Sequence, residues 1–424
     1  MQATSVSYPY ITVQAEEIFL NPATVADSNA QKIAQEICHD EDTITKVFAL
    51  ARYATATQPQ FIRGGKNCGK NIVIMPEGDE KVVFFTTRDA ARFSSADKDR
   101  PTRVFKSFLF RLDARGACIE VIKTVTLFSD FDKEKAKSPE LHAQAERRIS
   151  IMQDLERNIE GDLPQVPKNY AYIHYRGKHR TKLMIFQKQA YCDLQYYLDF
   201  NSDLHQKPHA KKMMLAIAKR IIEAVLFVHE KGYVHKDIKG ENFLIDSPLE
   251  FTEDPQPVIK ITDFDLTRKV TDTVGLLNRK GTSTWFSPEH SLNQEQPLTQ
   301  NVDIWGVGLL LYQLSGDKHI APSQQCLEKR ADCYDDIYDL RAKLGRAYSE
   351  TASKRLKEKL SESMSLNKEW LELLNRLPNP FGSYSLKELA ERMIQKEPTA
   401  RLPLQTALAD INALIERQKL PEKA

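Results

Sequence analysis

Cysteine is scarce in this chain, with six in 424 residues. They are Cys38, Cys68, Cys118, Cys192, Cys326 and Cys333, and none forms a C-x-x-C pair. The spacing suits neither a zinc site nor a disulfide framework. A reducing compartment, the cytoplasm, is the expected home. Long apolar runs are missing too. No stretch approaches the roughly 18 residues that span a bilayer, so no membrane span is expected. The opening MQATSVSYPY lacks a basic segment followed by an apolar one and does not read as an ordinary signal peptide. A surplus of one charge sign is also absent. Against 60 Lys and Arg stand 58 Asp and Glu, a net charge of +2. That balance gives no general pull toward nucleic acid or an anionic membrane, and no nucleic-acid partner is expected. Repeats and low-complexity tracts are lacking.

What is present is ordinary soluble globular composition, 41% hydrophobic and 28% charged. The length suits one large two-lobed domain or two to three smaller ones. Residues 1–60 read as mostly helical, with Ile33, Ile37, Ile44, Val47 and Leu50 at roughly helical spacing. Character changes over 61–127. Ile72–Met75, Val82–Phe85, Val104–Leu112 and Ala117–Val125 read as strands, the last two joined by a tight turn at Asp113–Gly116. Helix returns over 139–160, and Leu183–Phe186 is a short strand. Beyond about residue 190 the helical period dominates, with long stretches at 209–230 and 300–315. Residues 318–370 are highly charged helix material, broken by Asn379–Gly382.

One polar connection stands out, GYVHKDIKGENFLID over 232–246. The helix before it ends at Gly232, which suits a left-handed C-cap. Val234 and Phe243–Ile245 anchor its two ends. Between them lie Asp237 as a carboxylate, Lys239 as a nearby cation, and Asn242 with a carbonyl oxygen for a hard cation. A base, a charge stabiliser and a metal ligand on one short loop suit phosphoryl transfer, which needs mainly positioning and charge neutralisation.

The pattern H-x-D-x-K-x-x-N resembles the catalytic loop of the eukaryotic-type protein kinases, in their Ser/Thr branch. Further motifs follow in the family's order. Asp263-Phe-Asp265 resembles D-F-G. Gly281-Thr282 to Pro288-Glu289 resembles the end of an activation segment. Asp303-Ile-Trp305-Gly-Val-Gly308 resembles D-x-W-x-x-G, and Pro398-Thr-Ala-Arg401 resembles P-x-x-R. Upstream, Val121-Ile-Lys123 resembles the end of V-A-I-K. Strand alternation puts Ile119, Val121, Lys123 and Val125 on one face.

The resemblance implies an α+β, two-lobed kinase-like fold with a β-rich N-lobe, a mainly α-helical C-lobe and a helical N-terminal extension. It places an extension over 1–90, helical then strands and partly merged with the N-lobe. The N-lobe follows over 91–189 and the C-lobe over 190–424, with a charged helical insertion around 318–370. It implies an ATP- and Mg²⁺-dependent transfer of the γ-phosphoryl group to Ser/Thr hydroxyls of a protein. Asp237 orients the hydroxyl or accepts its proton, and Lys239 steadies the γ-phosphate. Asn242 and Asp263 hold Mg²⁺. Lys123 holds the α/β-phosphates, anchored by Glu146 with Glu140 as the alternative. Val121 roofs the adenine, Phe186 lies behind it, Gln187 to Gln189 form the hinge, and Asp193 reaches the ribose. Arg401 pairs with Glu289.

Three departures qualify the match. The loop before Val104, Phe93 to Arg103, has no glycine where the family has a glycine-rich phosphate clamp. Gly64 to Lys70 fits G-x-x-x-x-G-K, but Asn71 stands where a P-loop needs Ser or Thr, and a turn between strands is the better reading. Lys236 replaces the Arg of H-R-D, and Asp265 replaces the Gly of D-F-G. These two suggest an activity less dependent on phosphorylation of the activation segment. Two rival readings stay open: a pseudokinase scaffold and a small-molecule or lipid kinase of related fold. The divergent N-terminal half also resembles eukaryotic-like kinases that bacterial pathogens deliver into host cells. Residues 1–90 offer a surface for a regulatory partner or self-association.

Overall fold

The computed structural model describes residues 10–14, 60–62, 72–77, 80–94, 102–111, 118–128, 139–157, 165–176, 181–201, 203–278, 280–282, 285–292, 296–315, 354, 385–395 and 397–419. The chain divides into two units, Met1–Glu160 with Pro167–Gln189, and Gly161–Val166 with Ala190–Ala424.

The first unit is built on one eight-stranded sheet. Its strands are β1 (Tyr10–Gln14), β2 (Gln60–Ile62), β3 (Ile72–Glu77), β4 (Glu80–Ser94), β5 (Thr102–Arg111), β6 (Cys118–Phe128), β7 (Asn169–Arg176) and β8 (Thr181–Lys188). The order is β1-β7-β8-β6-β5-β4-β3-β2. Every neighbour pair is antiparallel except β1 with β7, which is parallel. Alternation sends Val73, Phe84, Leu109, Val121, Met184 and Phe186 to one buried cluster. Helix α1 (Pro139–Glu156) lies against β7 and β8. Its Ala145, Ile149, Met152 and Leu155 recur at three and four residues and are all buried.

The second unit carries short strands β9 (Cys192–Asp193), β10 (Tyr233–Val234), β11 (Phe243–Ile245), β12 (Ile259–Ile261) and β13 (Arg268–Lys269). Its helices are α2 (Leu194–Phe200), α3 (Ala210–Glu230), α4 (Thr273–Leu276), α5 (Pro288–Leu292), α6 (Asn301–Leu314), α7 (Leu386–Met393) and α8 (Leu404–Lys419). Helix α6 is apolar all round and almost wholly buried, as its sequence demands. Helix α7 opens with a capping box between Ser385 and Glu388.

The expected strands over 72–75, 82–85, 104–112, 117–125 and 183–186 are found as β3, β4, β5, β6 and β8, and the helices near 139–160, 209–230 and 300–315 are found as well. Of the residues read as mostly helical over 1–60, the described ones, Tyr10–Gln14 and Gln60, are strand. The positions that carry the helical reading, Ile33 to Leu50, lie outside the described residues. YITVQ alternates aromatic and β-branched residues, which fit a pleated surface better than a helix. Strand β7 was not foreseen, although NYAYIHYR has the same aromatic alternation. The P-loop-like stretch 64–70, the turn 113–116 and the break 379–382 lie outside the described residues. So do residues 95–101 of the glycine-free loop and, apart from Lys354, the charged stretch 318–370.

Candidate active site

Local chemistry shapes the polar loop from both ends. Helix α3 stops at Gly232, whose φ of +76° is the left-handed conformation expected of a C-cap glycine. Its carbonyl accepts from the Val270 N–H. Strand β10 then pairs with β13 and carries the chain into the loop. Beneath the loop, α6 presents Asp303, which is fully buried. The His235 N–H donates to one of its oxygens at 2.7 Å and the Lys236 N–H to the other at 2.8 Å. The His229 ring lies 2.9 Å from the same carboxylate. Gln300 holds the loop's entry by donating to the carbonyls of His229 and Tyr233. Glycine at 306 has a packing reason. A Cβ there would meet the Ile238 Cβ at 2.6 Å and its carbonyl oxygen at 3.0 Å.

The loop brings Asp237, Lys239 and Asn242 together. Lys239 Nζ lies 2.9 Å from Asp237 Oδ2. Asn242 Nδ2 donates to the Asp237 carbonyl at 2.7 Å and to Oδ2 at 3.2 Å. Thr282 completes the shell. Its N–H and hydroxyl donate to Asp237 Oδ1 at 3.1 and 2.9 Å, and Lys239 donates to that hydroxyl at 2.7 Å. Burial alone would push the Asp237 carboxyl up. The Lys239 charge and hydrogen bond, with His235 and Thr282, outweigh it and hold the carboxyl below its ordinary range. Burial opposes charge on Lys239 as well, but Asp237, Asp263 and Glu241 raise its pKa. The pair is therefore ionised at neutral pH.

Strand β12 delivers Thr262 and Asp263 beside the loop, with the Thr262 N–H donating to the Asn242 carbonyl at 2.9 Å. Asp263 has a φ of +63° and Lys236 one of +74°. Non-glycine residues held in this region cluster at functional sites. Phe264 is buried edge-on to the His235 ring. Asp265, where the family has glycine, keeps negative φ. With both Asn242 donors turned to Asp237, its amide oxygen remains for a cation. That oxygen and the Asp263 carboxylate are hard oxygen donors of the kind Mg²⁺ takes. Among the described residues no cluster of three His, Cys, Asp or Glu offers an alternative metal site.

In the first unit, Lys123 and Phe186 face each other across β6 and β8, with the ammonium 5.6 Å from the ring centroid. Val121 shares their buried cluster, and Phe186 packs on Phe84 at 4.0 Å between centroids. Lys123 is 1% exposed. Burial, with the charge of Lys182, lowers its pKa to about 7. Glu146 is half-buried on α1 and is not among the groups that set that value. Gln187 is buried and Gln189 half-buried at the end of β8. In the second unit, Asp193 caps α2 by accepting the Tyr196 N–H at 2.8 Å, and burial raises its pKa. The residue that sequence reasoning left unassigned is Thr282. Its position two residues after Lys280, within the G-T motif, was the available signal.

A family model described as protein kinase domain matches residues 119–411. The chain belongs to the protein kinase family, and its β-rich unit and mainly helical unit are the two-lobed fold the motifs implied. It is similar to the serine/threonine-protein kinase TIO of Arabidopsis thaliana, 35% identical over 105 residues, or 24% of this chain and 7% of that protein. It is 28% identical over 135 residues to the serine/threonine-protein kinase fused of Drosophila melanogaster, 32% of this chain and 15% of that one. It is 28% identical over 201 residues to the mitogen-activated protein kinase kinase kinase YODA of Arabidopsis thaliana, 46% and 19% of the two chains. The chain thus spans less than a fifth of the length of these relatives. Kinases of this family typically use ATP and Mg²⁺.

Proposed function

We propose that the chain transfers the γ-phosphoryl group of MgATP to a Ser or Thr hydroxyl of a protein. The observation that carries this is the ionised Asp237 carboxylate, fixed on one oxygen by Thr282 and on the other by Lys239. A substrate hydroxyl beside Asp237 gives up its proton to the carboxylate. Its oxygen forms the bond to the γ-phosphorus as the bond from that phosphorus to the bridging oxygen breaks, and ADP leaves. Lys239 neutralises charge on the transferring group. Asn242 and Asp263 would hold Mg²⁺, which would supply positive charge to offset that of the phosphates. Lys123 and Glu146 would hold the α/β-phosphates, and Val121, Phe186, Gln187, Gln189 and Asp193 the nucleoside. Pairing of Arg401 with Glu289 supports the protein-kinase reading, since that motif set favours protein over small-molecule substrates.

The proposal extends to context. The cysteine pattern supports work in the cytoplasm, of the producing cell or of a host, and residues 1–90 precede the kinase region as a site for a regulator or a second copy. Among the described residues no helix is long and apolar enough to cross a membrane. The test is radiolabelled ATP with Mg²⁺ and a protein mixture, with wild type and Asp237→Ala side by side. Phosphoserine or phosphothreonine with wild type alone supports the reading. ATP binding without transfer by either form identifies a pseudokinase, and label on small molecules alone identifies the other kinase class.

A further inference from the structure

We propose that Lys236 is a positioning residue. By clamping backbone carbonyls of residues 275–278, it holds Thr282 against Asp237. The inference rests on the phosphotransfer reading for its kinetic consequence and on geometry for its structural one.

Lys236 is 3% exposed and adjoins Asp237 in the loop. Its aim is fixed by a φ of +74° and by the bond from its N–H to Asp303. Its ammonium donates to the Gly275 carbonyl at 3.1 Å and to the Asn278 carbonyl at 2.7 Å. These oxygens lie at and just past the end of α4; the Gly275 carbonyl also accepts from the Asn278 N–H at 3.3 Å, so the ammonium joins a turn already closed on itself. A compact ammonium with several donors matches two acceptors converging on one point.

The clamped segment has a second end. From Asn278 the chain runs through Lys280, whose N–H bonds the Asn278 side chain at 3.0 Å, to Gly281 and Thr282. Gly281 has a φ of +154°, and a Cβ there would meet the Phe286 ring at 2.7 Å and the Lys236 carbonyl at 3.3 Å. This close passage leads directly to the Thr282 bonds with Asp237. Two neighbouring loop residues thus grip one short segment at both ends, Lys236 by the ammonium and Asp237 by the carboxylate. On the upstream side β13 on β10 gives a further anchor. Leu276 is anchored independently, buried with Val234, Leu298 and Val302 and with its carbonyl accepting from the Leu298 N–H at 3.0 Å. Removing the ammonium therefore frees the stretch from Leu276 to Thr282, and docking Thr282 then costs more chain entropy. Asp237 loses two donors when Thr282 leaves, and Lys239 loses the acceptor that shares it. The clamp takes backbone carbonyls, so it forms whatever the modification state of the segment's hydroxyls.

Amide hydrogen exchange of full-length wild type, Lys236→Met and Lys236→Arg tests this without requiring catalysis. Lys236→Met is expected to raise exchange at the Thr282 amide by about tenfold or more, the scale of losing a charged hydrogen bond. The amide of His235, held by Asp303, should stay protected. Lys236→Arg keeps a cation and should restore most of the protection. In kinetics, Lys236→Met should lower kcat by about 10- to 100-fold with KM for ATP unchanged. In a Thr282→Ala background the same change should cost about threefold or less, because coupled residues are non-additive. Unchanged Thr282 exchange, or an equal kcat loss in both backgrounds, overturns the proposal. If Lys236→Met does not fold, Lys236→Gln carries the same comparison. If wild type shows no transfer at all, the functional reading falls, while the exchange result still decides the clamp.

Discussion

Arg401 meets Glu289 in a two-pronged ion pair, with Nη1 at 2.6 Å from one carboxylate oxygen and Nη2 at 2.7 Å from the other. The Arg401 side chain is fully buried. It also donates to the carbonyls of Asn301 and Gln395 and lies over the Trp305 ring at 5.2 Å. Helix α5, the turn before α8 and the start of α6 are joined through this one side chain. Removing it takes the cation from a Glu289 carboxylate that is only 19% exposed and a donor from two carbonyls. Arg401→Met is expected to cost about 3 kcal/mol or more in urea unfolding. Glu289→Leu combined with Arg401→Met should cost less than Arg401→Met alone, because no charge is left unpaired. Equal losses would mean that the pair itself contributes little.

The second unit was more legible in the sequence than the first, for a physical reason. Its motifs are side chains that bond one another at fixed spacing, as Asp303 does with the backbone of 235–236 and Arg401 with Glu289. Such partners require particular residue types, so they leave a signature. The first unit is a sheet, where any alternating apolar or aromatic run serves. Hence β7 and Tyr10–Gln14 leave no signature comparable to the motifs of the second unit. Thr282 lay between these cases. It was visible in a motif, but its bond to Asp237 joins residues 45 apart, and only the folded chain brings them together. The bonds of Lys236 to Gly275 and Asn278 use backbone carbonyls, which carry no residue signature at all.

Asp237 should remain ionised well into the acid range. Its folded-state pKa is lowered, so its contribution to stability is present above the unfolded value near 3.8 and is lost as pH falls through the folded value. No acid limb in kcat near neutrality should then arise from Asp237. Asp237→Asn keeps the size and removes the base, with a loss of about 10²- to 10⁴-fold in kcat expected. The decisive measurement is the kcat–pH profile of wild type between pH 5 and about 8. A limb in that range that tracks substitution at Asp237 would contradict an anion held by Lys239.

Gly306→Ala should act on the loop through contact alone. The added Cβ meets the Ile238 Cβ at 2.6 Å and Cγ2 at 2.9 Å, with the Ile238 carbonyl at 3.0 Å. A backbone oxygen cannot swing aside as a flexible side chain can. A helix interior would otherwise favour Ala over Gly by about 1 kcal/mol, so the sign is informative. We expect net destabilisation of about 1–3 kcal/mol and a fall in kcat, since Ile238 adjoins Asp237. Stability rising by the helix-propensity amount would show that the loop yields freely.

Lys123 gives a pH signature independent of catalysis. Its pKa falls from 10.5 in the open chain to about 7 in the fold, through burial and Lys182. Between these values the unfolded chain binds more protons than the folded one, so wild-type stability rises with pH across that window. Below about 7 both states carry the proton, and the folded state bears the full cost of a buried charge. Lys123→Met removes that cost without leaving a cavity of any size. The variant should be more stable than wild type at pH 6.5, by a few kcal/mol in order of magnitude. Its advantage should shrink steadily toward pH 10. Phosphotransfer should be lost at every pH. Bound MgATP reverses the logic for wild type, because phosphates favour the ammonium. Nucleotide should therefore stabilise wild type and leave the variant's Tm nearly unmoved. Parallel urea titrations at pH 6.5 and 9.5, with and without MgATP, separate these effects. A stability difference that does not narrow with pH would mean that Lys123 meets an anionic partner in the folded chain.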